Sequence, residues 1–68
     1  MSLGNSLFHA RKQAGLSQEA AAEKLGVSRQ TISKWETDET LPDIRQTKRL
    51  SLLYRLSLDE LLDFAPPM

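Results

Sequence analysis

The chain has 68 residues, nine Lys plus Arg against nine Asp plus Glu, a single His and no Cys. That length fits one small domain; the lack of cysteine excludes disulfides and thiolate metal sites, and His9 has no partners at ligand spacing. No apolar run approaches the roughly 18 residues of a membrane span, and no charged start leads into an apolar signal segment, so the expectation is a cytoplasmic protein with no metal, no cofactor, no membrane contact and no evident small-molecule ligand.

The charge is unevenly placed. Residues 1–35 carry Arg11, Lys12, Lys24, Arg29 and Lys34 against Glu19 and Glu23. Residues 36–68 carry Arg45, Lys48, Arg49 and Arg55 against Glu36, Asp38, Glu39, Asp43, Asp59, Glu60 and Asp63. Asymmetry of this kind marks a binding face or arises by chance on a neutral surface, and the charges alone leave both readings open.

Punctuation predicts five short helices. Leu3 to Ala14 reads as the first, closed by Gly15 as a left-handed cap. Met1 to Leu3 have the look of leader residues, and no role in the fold is assigned to them. Ser17 is an N-cap candidate for QEAAAEKL, which is rich in helix formers, has Glu19 in its first turn and ends at Gly26. Ser28 caps a third helix from Arg29 to about Asp38. Leu41-Pro42-Asp43 is a break, because Pro42 disfavours helix at Leu41 and Asp43 caps the fourth helix. Ile44 to Tyr54 then carries apolar Ile44, Leu50, Leu53 and Tyr54, with bases at Arg45, Lys48 and Arg49. Ser57 and Glu60 form a capping box for a last helix, Leu58 to Leu62. Residues 65–68 read as a tail, so the domain spans 4–64. The fold class expected is all-α, compact and five-helical.

The stretch 18–37 has the makings of two helices crossing steeply over a tight turn. Such a crossing needs a small residue, supplied by Ala22, and a turn residue that tolerates positive φ, supplied by Gly26. The following helix needs an apolar side chain facing back, supplied by Ile32. Val27 and Ile32 flank the cap Ser28 at hydrophobic-staple spacing, and Leu16 and Ala21 repeat this around Ser17. On a helical wheel, Ile32 and Trp35 fall on one side, while Arg29, Gln30, Ser33, Lys34 and Thr37 gather on the other. Between positions 29 and 34 there is no acid. An ordinary solvated helix face mixes acids with bases, whereas Arg, Gln and Lys offer donors suited to base edges and phosphates. A plain solvated face remains the competing reading.

Residues from about Leu7 to Leu62, through RKQAGLSQEAAAEKLGVSRQTISKWE, then LPD, then LSLDELL, resemble the lambda-repressor-like helix-turn-helix domain of phage repressors and Cro proteins, the xenobiotic-response-element family of bacterial regulators. The resemblance implies that the helix from Ser28 to about Thr37 enters the major groove of DNA, while the helix starting at Gln18 lies across the backbone. It further implies that Gln18 contacts phosphate and steadies the start of the recognition helix. Arg29, Gln30 and Lys34 would reach base edges, and Thr31 and Ser33 would add supporting contacts. Arg11 and Glu36 match a partly buried salt bridge between the first and third helices. Several positions depart from the family pattern. Thr37-Asp38-Glu39 replaces a common Asn-Gly-Lys, so no strong backbone contact is expected from that loop. Ala21 replaces a Leu, thinning the core. Arg55 stands where Gly often ends the fourth helix, at a cost of roughly 1 kcal/mol if it turns left-handed.

The sequence therefore points to a transcriptional regulator acting as a homodimer on a palindromic operator in double-stranded DNA. Leu58, Leu61, Leu62 and Phe64 would supply the dimer surface or simply close the core. The competing function is a protein-interaction module or antitoxin component on the same fold. An enzyme is not expected, because there is no nucleophile with a base and no glycine-rich phosphate loop.

Overall fold

A computed structural model describes residues 2–56. Four helices follow one another: α1 (Leu3–Gln13), α2 (Gln18–Leu25), α3 (Arg29–Glu36) and α4 (Ile44–Leu53). There is no strand among the described residues. The predicted fifth helix with its Ser57–Glu60 box, the tail, and Leu58, Leu61, Leu62 and Phe64 lie outside the described residues.

Each helix begins on a side-chain cap that accepts an otherwise orphaned backbone N–H. Ser17 Oγ accepts from Ala20, Ser28 Oγ from Thr31 and Asp43 Oδ1 from Gln46. The first helix is capped in the same way, since Ser2 Oγ accepts from the Asn5 amide at 3.0 Å. Leu3 packs against the core. Ser2 and Leu3 are thus part of the fold, contrary to the leader reading of their sequence.

Among the described residues the buried hydrophobic interior is Leu7, Ala10, Ala21, Ala22, Leu25, Ile32, Trp35, Leu50 and Tyr54. Leu16 and Val27, the residues before the caps Ser17 and Ser28, pack against it. Ala21, the small residue where the resemblance puts a Leu, is fully buried within this core. Ile44 is the exception to the expected apolar face of α4. It stands at the first position of that helix and is 77 % exposed.

The helix ends also follow local chemistry. Gly26 closes α2 with φ 71°, a left-handed conformation available to glycine without a Cβ penalty. Helix α3 stops at Glu36, short of the predicted Asp38, because Asp38 itself turns left-handed at φ 64°. Aspartate is among the residues that tolerate this region. Arg55 also turns left-handed, at φ 59°, in the place where the resemblance puts a helix-ending glycine. Its arrangement lets Leu56 N donate to Ser51 O at 2.9 Å.

Candidate nucleic-acid interface

Helix α3 is divided between interior and solvent. Ile32 and Trp35 are 1 % and 6 % exposed, and they anchor one side of the helix in the core. Arg29, Gln30 and Lys34 are exposed, and Ser33 and Thr31 are half-buried. Arg29, Gln30, Ser33 and Lys34 line one shallow hollow on the surface, joined there by Glu39. The wheel therefore orders these residues correctly. Glu39 brings an acid to the rim of the hollow, which the sequence places in the loop after the helix.

Three predicted polar residues are engaged with the helix itself. Ser28 Oγ caps α3 and lies 2.9 Å from Thr31 Oγ1. Thr37 is the C-cap, and its hydroxyl donates toward Ser33 O at 3.1 Å and Lys34 O at 3.3 Å. By contrast, Gln30 and Lys34 make no side-chain hydrogen bond with the described residues, so their donors are available to a partner.

The acid within α3 is withdrawn from that surface. The Glu36 side chain is 4 % exposed and meets an Arg11 side chain that is 8 % exposed. Arg11 Nε donates to Glu36 Oε2 at 2.7 Å and Nη2 to Oε1 at 3.2 Å, a two-point fork that fixes both planes. Arg11 Nη1 also donates to Leu16 O at 2.8 Å, tying the turn before α2 to the same guanidinium. The pair predicted from the resemblance is therefore present, and it joins α1 to α3.

Gln18, at the start of α2, extends this arrangement. Its Nε2 donates to Glu36 Oε1 at 3.1 Å, and its Oε1 accepts from Arg29 Nη1 at 3.3 Å. The sequence does not announce the Gln18–Glu36 bond, because the residues are eighteen positions apart and neither spacing nor helical phase connects them.

Deeper in the molecule, Tyr54 is buried and its Oη has no hydrogen-bond partner among the described residues. Burial pushes its hydroxyl up from 10.0 to about 12, with the Glu36 charge adding to the rise and Arg11 opposing it.

Among the described residues no group of His, Cys, Asp and Glu is arranged to hold a metal ion, and no helix is long and apolar enough to cross a membrane.

Comparison with known proteins gives consistent matches. A family profile described as helix-turn-helix matches residues 7–61. The chain is 45% identical over 62 residues to the HTH-type transcriptional regulator ImmR of Bacillus subtilis (strain 168), covering 91% of this chain and 49% of that protein. It is 39% identical over 62 residues to the HTH-type transcriptional activator BcrR of Enterococcus faecalis, covering 91% of this chain and 30% of that protein. The chain thus spans about half or less of these relatives. Among solved structures, the P22 c2 repressor in complex with a synthetic operator superposes with a TM-score of 0.85 at 32% identity, covering 96% of this chain and 98% of that one. A transcriptional regulator from Listeria innocua superposes with a TM-score of 0.82 at 31% identity, covering 98% of this chain and 63% of that one.

Proposed function

The chain belongs to the helix-turn-helix family, and on that premise we propose that it is a sequence-specific DNA-binding transcriptional regulator whose α3 enters the major groove. The observation that carries this reading is the acid-free face of exposed Arg29, Gln30 and Lys34, with half-buried Ser33 among them, on a helix whose opposite side is locked in the core. A rigid helix that offers a guanidinium, a carboxamide and an ammonium to one side suits bidentate recognition of guanine and adenine edges. The operator complex of the similar P22 c2 repressor supports double-stranded DNA as the partner. Gln18, Ser28, Thr31 and Thr37 are assigned to the flanking backbone, where contacts set register rather than sequence.

A single small domain makes few contacts, so a homodimer on a palindromic site is the assembly proposed, with half-sites about 34 Å apart. The cytoplasm is the compartment proposed, as the place where such a regulator meets its operator.

Selection from a random duplex pool, with affinity followed against salt, tests this. A palindromic preferred site supports a dimeric reader. Binding that is salt-sensitive but without sequence preference reflects the phosphate contribution alone and contradicts the specificity. No binding at low salt overturns DNA as the partner and favours a protein-interaction module.

A further inference from the structure

We propose that Glu36 is a positioning residue for base reading by Arg29, acting through the side-chain amide of Gln18. The proposal rests on the DNA-binding reading and adds a residue that touches no DNA in that reading.

Polarity fixes the direction of each bond. An ionised carboxylate only accepts hydrogen bonds, while a carboxamide both donates and accepts. Glu36 is held in place by the Arg11 fork, and its Oε1 faces the Gln18 amide. Gln18 must therefore turn its Nε2 inward, toward Glu36. Its Oε1 then points to the other side, where it accepts from Arg29 Nη1. The acceptor character of a buried acid is passed along one amide to become an acceptor at the edge of the reading face.

Arg29 is the residue this acceptor restrains. Its side chain is exposed and stands at the first position of α3. An untethered arginine loses considerable rotamer freedom when it docks. The Gln18 acceptor holds one nitrogen of the guanidinium and leaves the remaining donors for a base edge. If the Gln18 amide is reversed, an NH2 group faces an arginine that can only donate, and the tether is lost. Arg11 also neutralises Glu36, so the acid orients Gln18 without drawing Arg29 inward by its own charge. Gln30 and Lys34 have no comparable tether among the described residues.

The test compares the unaltered chain with Gln18→Met, Glu36→Gln and the double variant. Gln18→Met keeps the Arg11–Glu36 pair, so it retains the fold if Glu36→Gln does not. The base pair read by Arg29 is located first, as the position relaxed by Arg29→Ala. Each single variant should lower base preference at that pair by about fivefold, within the range for networked side chains. Glu36→Gln should add no further loss in the Gln18→Met background. Weakening on every duplex with preference at that pair unchanged is the loss of the Gln18 backbone contact or a loosened fold alone, and it overturns the proposal. So does a Glu36 effect on base preference that persists without Gln18. NMR order parameters of the Arg29 side chain give a second readout that needs no DNA. Arg29 ordered in the unaltered chain and mobile in Gln18→Met supports the tether, and equal mobility in both overturns it. Failure of the unaltered chain to select any DNA sequence, by contrast, overturns the DNA-binding reading itself.

Discussion

The amide of Gly4 donates to Asp38 Oδ1 at 3.0 Å, across thirty-four positions of sequence. This contact closes the start of α1 onto the end of α3. The Gly4 N–H is one of the orphaned donors of a helix N-terminus, and the Asp38 carboxylate lies at the positive end of the helix dipole. The approach is close enough that a Cβ on Gly4 would lie 2.6 Å from Trp35 O and 2.7 Å from Glu36 O. Backbone atoms in a helix cannot step aside as a flexible side chain can. Gly4→Ala should therefore destabilise the domain by about 1–3 kcal/mol, the usual scale of overpacking. Asp38→Ala should cost about 1–2 kcal/mol through the lost cap, and Asp38→Asn should cost less. Thermal unfolding followed by circular dichroism measures all three.

The Arg11–Glu36 pair should behave as a buried ion pair does. Arg11→Met leaves the Glu36 carboxylate without its fork in the interior and should cost about 3–5 kcal/mol. Replacing both residues, as Arg11→Met with Glu36→Leu, should recover much of that loss, because no charge is then stranded. Urea unfolding of the two variants distinguishes these outcomes. A double variant as unstable as the single one would mean that the pair contributes through more than mutual compensation.

Arg55→Gly should raise stability by about 0.5–1 kcal/mol. The left-handed backbone costs a residue with a Cβ about 1–2 kcal/mol, and glycine returns part of that as added freedom of the unfolded chain. The measurement is a shift in the urea midpoint at constant slope. An unchanged or lower midpoint would show that the Arg55 side chain contributes something that offsets the strain.

Alkaline pH should weaken the fold through Tyr54. Its hydroxyl titrates at about 12 in the folded chain and at 10.0 ordinarily. The folded state thus holds this proton more tightly than the unfolded state. The associated stability is complete below pH 10 and is lost as pH rises from 10 toward 12. A rise from 10.0 to about 12 corresponds to about 2–3 kcal/mol. Tyr54→Phe should flatten the alkaline fall. At neutral pH it should change stability little, because the removed hydroxyl makes no hydrogen bond with the described residues. Chemical denaturation at pH 8 and pH 11 provides the comparison.

Gln30→Ala should relax preference at one base pair by about 1–3 kcal/mol, the worth of a bidentate contact. Its thermal stability should be unchanged, since the side chain is exposed and unbonded within the described residues. Competition binding with single-position operator variants reads the preference directly.

Much of this architecture is legible in the sequence because the helices are short and explicitly punctuated. Ser17, Ser28 and Asp43 act as caps where the sequence places them, and Gly26 turns left-handed as its position requires. The alternation within ISKW separates Ile32 and Trp35 from Ser33 and Lys34 by helical phase alone. The start of α1 is harder to read. Ser2 resembles any residue near a chain start, and its capping role depends on the turn that comes after it. Gly4 lowers helix propensity locally, and the reason is the close approach of the Trp35 and Glu36 carbonyls, far along the sequence. Ile44 looks like a core residue by type, but its place at the first turn of α4 leaves it in solvent. Arg11–Glu36 is suggested by family resemblance, whereas the Gln18 link depends on three helices being packed first.

The division of α3 separates two kinds of inheritance. On the proposed reading, changes at exposed Gln30 and Lys34 would alter what the surface recognises without disturbing buried Ile32 and Trp35. The same interior could therefore carry a different set of solvent side chains at these two positions without being repacked. Arg29 is exposed yet tied to Gln18, which is tied in turn to Glu36, so replacing it also frees the Gln18 acceptor, a consequence that replacing Gln30 or Lys34 does not carry.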